Sequence, residues 1–169
     1  MIAGIISDTH DVLDYVKRAL NVFKNTGVDM IIHLGDYIAP FTLELLASKA
    51  GVKIIGVFGN NDGERTGLLN TAHKHNVDLG DHPRVLELDN KRLLLLHGFG
   101  SPDLTKELVY ALAESKKWDA ILYGHTHEPE ILYKRGVLIL NPGTAGGLLY
   151  KPSVALLETD RMIARLIEL

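Results

Sequence analysis

Five short apolar runs in this chain each stop abruptly at the same kind of residue, and those endings restrict its architecture more than any other feature. Met1–Ile6 runs into Ser7-Asp8-Thr9-His10, Met30–Leu34 into Gly35-Asp36, and Val52–Phe58 into Gly59-Asn60-Asn61-Asp62. Arg92–Leu96 is followed by His97-Gly98, and Ala120–Tyr123 by Gly124-His125-Thr126-His127. Runs of this length suit strands buried on both faces. Between the first and second runs, Val12, Leu13, Val16, Leu20 and Phe23 recur at helical spacing, with Gly27 as a C-terminal stop. A second helix is expected over Phe41–Lys49, with Pro40 near its first turn. The resulting β-α-β-α-β order predicts a parallel sheet with helices packed on it.

The second half reads differently. Arg84–Leu88 and Arg92–Leu96 flank Asp89-Asn90 as a hairpin, and Asp103–Lys117 reads as a helix. Strands are expected over Glu130–Tyr133, Gly136–Leu140, Val154–Glu158 and Met162–Ile167, arranged as an antiparallel meander. No linker or repeat divides the chain, so residues 1–169 are expected to form one domain with mixed sheets. The 18 basic and 21 acidic residues leave a net charge of −3, which excludes strong non-specific attraction to nucleic acid or anionic lipid. The absence of cysteine excludes disulfides and thiolate metal sites. No apolar run approaches the roughly 18 residues of a membrane span. No basic leader precedes the first strand, so a cytoplasmic protein is expected.

In open α/β sheets, ligands bind outside the carboxyl ends of the strands. The five endings therefore deliver Asp8, His10, Asp36, Asn60, His97, His125 and His127 to one edge. D-x-H alone is weak, whereas G-H-x-H is expected by chance only roughly 0.04 times in a chain of this composition. Imidazole and carboxylate donors without thiolate suit Mn²⁺, Fe²⁺, Ni²⁺ or Zn²⁺, with Mn²⁺ the leading expectation. Two such ions sharing a ligand clamp a phosphoryl group and lower the pKa of a bound water.

In the order D-x-H, G-D, G-N, H, G-H-x-H from Asp8 to His127, the chain resembles the calcineurin-like metallophosphoesterases, and within them the small single-domain prokaryotic phosphodiesterases. The resemblance covers nearly the whole chain. It implies an α/β fold of two mixed β-sheets packed as a sandwich flanked by helices, four layers in all, with a dinuclear metal site at the strand ends. It also implies that Asp8, His10 and His127 hold one ion, that Asn60, His97 and His125 hold the other, and that Asp36 bridges both. The nucleophile would then be a hydroxide held by the metals rather than a side chain. Much of that family carries G-N-H-[DE]; here Gly59-Asn60-Asn61-Asp62 puts Asn61 where the His stands, with no proton to give at neutral pH. Losing a general acid costs about 10²–10⁴-fold and weighs most on poor leaving groups. The expected activity is therefore hydrolysis of small-molecule phosphodiesters, with weak or no monoesterase activity and Asn60 and Asn61 beside the substrate. The alternative is a non-catalytic metal-binding scaffold of the same fold, as in a eukaryotic retromer subunit. Homo-oligomerisation is compatible with either.

The remaining polar residues carry plainer expectations. His33, inside an apolar strand, reads as a hydrogen-bonded core or site-supporting histidine. His73, His75 and His82 read as solvated loop, and Asp11 and Asp14 as residues at the start of the first helix. Asn141-Pro142-Gly143-Thr144 either faces the site or forms a plain turn.

Overall fold

A computed structural model describes all residues, 1–169. Strands β1 (Ile2–Ile6), β2 (Met30–His33), β3 (Lys53–Val57) and β4 (Asp78–Gly80) run parallel, joined through α1 (Leu13–Thr26), α2 (Pro40–Ala50) and α3 (Arg65–Lys74). The second half contributes β5 (Arg84–Leu88), β6 (Lys91–Leu95), α4 (Pro102–Glu114), β7 (Ala120–Leu122), β8 (Glu130–Lys134), β9 (Val137–Asn141), β10 (Ser153–Glu158) and β11 (Ile163–Glu168). One sheet has the order β11-β10-β1-β2-β3-β4 and the other β5-β6-β7-β9-β8.

The continuous apolar runs are explained by burial on both faces. In β1, Ile5 points into the space between the sheets, with Ile32, Val57, Leu93, Leu95 and Leu122. Its neighbour Ile6 points the other way, onto Val16, Ala19 and Phe23 of α1. In β6, Leu93 and Leu95 face inward while Leu94 packs under Val109 and Ala113 of α4. The layers are thus helices, sheet, sheet, helix. The predicted stop at Gly27 is in place, left-handed after α1, and Gly51 plays the same part after α2. Asp89 and Asn90 both adopt positive φ, the conformation a two-residue hairpin turn demands.

Two expectations fail. The last four strands are not one meander: β8–β9 is a hairpin in the second sheet and β10–β11 a hairpin in the first. Moreover β9 pairs parallel with β7, and β10 antiparallel with β1. Nor is the stretch around His73, His75 and His82 a solvated loop. His73 lies in α3, His75 caps it, and β4 follows at once. No helix is long and apolar enough to cross a membrane.

Candidate metal centre

The parallel strands of both sheets point their carboxyl ends to one edge, and the seven predicted residues converge there. Backbone hydrogen bonds lock the loops together. The N–H groups of Asp8 and His10 donate to the carbonyls of Gly35 and Asp36, and that of Gly124 donates to His97. Two glycines permit this approach. A Cβ on Gly35, whose φ is +98°, would lie 2.6 Å from His97 Nδ1 and 2.7 Å from the Gly59 nitrogen. One on Gly124 would lie 2.1 Å from Ser7 Oγ. Asp8, His10, Asp36, His125 and His127 all adopt left-handed backbone. Such backbone costs a non-glycine residue about 1–2 kcal/mol and gathers at functional sites.

Two half-sites share one carboxylate. In the first, Asp8, His10, Asp36 and His127 bring one ligand atom each to within 4.8 Å of one another. His127 Nε2 lies 3.3 Å from Asp8 Oδ1, and His10 Nε2 lies 3.6 Å from Asp36 Oδ2. In the second, His97 Nε2 lies 3.4 Å from Asp36 Oδ1 and 2.9 Å from Asn60 Oδ1. His125 Nδ1 lies 2.7 Å from the same Asn60 oxygen. Asp36 thus turns one oxygen to each half.

Ring tautomers show what the arrangement lacks. The outer nitrogens of His97, His125 and His127 meet the carbonyls of Leu34, Gly100 and Leu148 at 2.7, 2.7 and 3.2 Å. A carbonyl only accepts, so each outer nitrogen carries the hydrogen and each neutral ring turns its lone pair inward. The His127 lone pair faces the Asp8 carboxylate, acceptor against acceptor, and Asp8 Oδ1 is buried without a hydrogen-bond partner. Those of His97 and His125 face the Asn60 amide. A cation reconciles the first pair, and the donors of both halves fit divalent metal. Protons are the competing cations. The Asp8 carboxylate, to which a protonated ring would donate, raises His127 above its usual range against the effect of burial, while burial lowers His10 against Asp36 and Asp8. Burial pushes Asp36 up, but His97 and both Asn61 donors outweigh it and hold the carboxyl low.

The surrounding residues fix these groups in place. Asp62 is buried and accepts the backbone N–H groups of Asp36, Ile38 and Gly59, clamping the second and third strand-end loops. Asn61 donates its backbone N–H and its Nδ2 to the two oxygens of Asp36, at 2.8 and 2.7 Å. Asn141 and Thr144 do not face the site but brace it from behind. Asn141 donates to the Gly124 carbonyl, and Thr144 Oγ1 to that of Asp8. Asp14 lies in the first turn of α1, as expected, whereas Asp11 precedes that helix and accepts from Thr42 Oγ1 at 2.9 Å. One residue that sequence reasoning set aside belongs here. His82 is half-buried, its ring centroid 6.3 Å from that of His97 and 5.1 Å from that of Phe99. It stands two residues past β4, so the strand-end rule itself points to it, but three residues of Asp-Leu-Gly are too short to announce a strand.

His33 is the supporting histidine expected. It is fully buried and accepts from the Gly35 N–H on Nδ1, so Nε2–H donates to Thr9 Oγ1, which donates to the Asp36 carbonyl. Burial, then His97, pushes this imidazole down to about 3 from 6.5. A histidine kept neutral contributes stability that is fully present above pH 6.5 and lost as pH falls towards 3. That loss is about 1.4 kcal/mol per pH unit. His33→Gln in chelator-treated protein is therefore expected to flatten the fall of melting temperature between pH 6.5 and 4. An unchanged slope in thermal scans would contradict the buried, neutral assignment.

Residues 1–162 match the model of the calcineurin-like phosphoesterase superfamily domain. The chain belongs to that superfamily. It is 33% identical over 162 residues to a phosphodiesterase of Methanocaldococcus jannaschii, covering 94% of this chain and 93% of that one. It is 30% identical over 152 residues to phosphodiesterase YfcE of Escherichia coli, covering 82% and 76%. A solved archaeal phosphodiesterase superimposes with a TM-score of 0.89 at 31% identity over the full length of both chains. This superfamily member is a phosphoesterase of the small prokaryotic type, with the expected sandwich and a candidate Asp/His metal cluster at its strand ends.

Proposed function

We propose that this protein, as a single domain, is a metal-dependent phosphodiesterase that acts on small-molecule diesters. In this reading Asp8, His10 and His127 hold one divalent ion, Asn60, His97 and His125 hold a second, and Asp36 is shared. Mn²⁺ is the leading candidate for both. The observation that carries the reading is the pair of half-sites facing opposite oxygens of Asp36, with three histidine lone pairs fixed inward by backbone carbonyls. When bound, two divalent ions supply Lewis acidity to a phosphoryl oxygen and acidify water.

The chain's own groups supply position. His97, His125 and His127 are held by main-chain carbonyls, so their geometry is set before any ligand arrives. Asn61 keeps the shared carboxylate ionised and oriented. It has no proton to deliver to a leaving alkoxide, which supports a preference for diesters with good leaving groups and weak monoesterase activity. The test is a panel of p-nitrophenyl and alkyl phosphodiesters and monoesters with Mn²⁺-loaded protein. Diester kcat/KM is expected to exceed that of the matched monoester by at least about 10²-fold, the lower end of a general acid's worth. A monoester rate equal to or above the diester rate would overturn the preference.

A further inference from the structure

Large apolar side chains stand exposed beside both half-sites, which cleavage of a phosphodiester does not by itself require. Next to the half-site of His97 and His125, Phe99 is 37% exposed and its ring leans against His82. Its position is fixed. Thr105, fully buried, accepts the Phe99 N–H at 2.9 Å and donates to the Phe99 carbonyl at 3.0 Å. The adjacent Gly100 carbonyl is the one that holds His125. Next to the other half-site, the Leu148 carbonyl holds His127, and Leu148, Leu149 and Tyr150 project from the same loop. Leu149 is 88% exposed on a left-handed backbone, φ +67°, doubly unfavourable for a leucine in water. This loop is also anchored, since the Ala145 and Gly146 N–H groups donate to the Ser7 and Asp8 carbonyls.

Charge narrows what these shelves receive. Three of the nearby cations are ion-paired: Arg65 with Asp81, Lys106 with Glu128, and Lys151 with Glu168. The shelf side chains themselves, Phe99, Leu148, Leu149 and Tyr150, carry no charge. We propose that the two shelves bind the two ester groups, so that the substrate is a phosphodiester carrying an uncharged aromatic or otherwise apolar group on each ester oxygen. The proposal builds on the phosphodiesterase reading and names the substrate class within it. Two shelves also match a diester better than a monoester, which has one such group.

The test holds the leaving group constant. With Mn²⁺-loaded protein, phenyl p-nitrophenyl phosphate is expected to show kcat/KM at least about tenfold above methyl p-nitrophenyl phosphate, from the apolar surface covered. The double variant Phe99→Ala with Leu149→Ser, both surface changes that leave the core intact, is expected to bring that ratio within about twofold of one. Leu132→Ala, an exposed leucine on β8, should leave the ratio alone. Diphenylphosphinate and dimethylphosphinate, which carry no ester bond, are titrated by calorimetry in parallel. If both diesters are cleaved at equal rates, the shelves are refuted while the phosphodiesterase reading stands. If neither is cleaved, that reading fails and the phosphinates decide. Diphenylphosphinate binding at least about tenfold tighter, with the gap closed in the double variant, supports the apolar shelves, and equal affinities overturn them.

Discussion

Asp36→Ala is expected to lower diester hydrolysis by at least about 10³-fold at saturating Mn²⁺, more than alanine at any of the other six positions. Removing one preorganised electrostatic group from an active site costs about 10²–10³-fold. Asp36 serves both half-sites at once, with Oδ2 towards His10 and Oδ1 towards His97. The fold should survive the change. The Asp36 backbone is held without its side chain: its N–H by Asp62, its carbonyl by Thr9 Oγ1 and the His10 N–H. The left-handed φ of +59° costs alanine about 1–2 kcal/mol, within the margin of a domain stable by about 5–15 kcal/mol. Steady-state rates with elemental analysis check this. A loss under tenfold, or a larger loss for Asn60→Ala, would remove Asp36 from the shared position.

Asn61→His is expected to raise hydrolysis of alkyl phosphomonoesters by about 10²-fold, at the low end of what a general acid contributes. Diester rates with p-nitrophenyl leaving groups should change by less than about threefold, since such groups depart without a proton. The side chain at 61 is exposed on the loop beyond β3, and its Nδ2 lies 2.7 Å from Asp36 Oδ2. An imidazole placed there gives up that bond and gains a proton donor at the edge of the site. Metal content must be measured alongside, because the new ring can also ligate. An unchanged monoester-to-diester ratio at unchanged metal content would contradict the account of substrate preference.

The half of the molecule that carries the parallel sheet was legible because its strands are unbroken apolar runs with glycine and polar residues at their ends. That pattern also exposed the seven candidate residues, which no local window unites: Asp8 and His127 meet across more than two thirds of the chain. What stayed hidden depends on partner choice. Val137–Asn141 and Ser153–Glu158 look alike as apolar runs, yet one pairs with β7 and the other with β1. The uninterrupted Val-Leu-Ile-Leu was the available sign of a strand covered on both faces, as β9 is, with Leu138 and Leu140 between the sheets and Val137 and Ile139 under α4. Helix α3 escaped notice because only Leu68 and Ala72 of it are buried and Gly67 interrupts it. With α3 and β4 unseen, His82 had no strand to follow. The left-handed backbone at five of the seven candidate residues carries no sequence signature beyond their being Asp and His, the residues that tolerate it best.

The central claim, that hydrolysis depends on two metal ions held by these seven residues, is tested most directly by titrating Mn²⁺ into chelator-treated protein. Diester hydrolysis and bound metal are followed together. The account predicts negligible activity before addition, and a rise that saturates as bound metal reaches two ions per chain. Full activity in the chelator-treated protein, saturation at one ion, or two bound ions with no hydrolysis of any diester would contradict it.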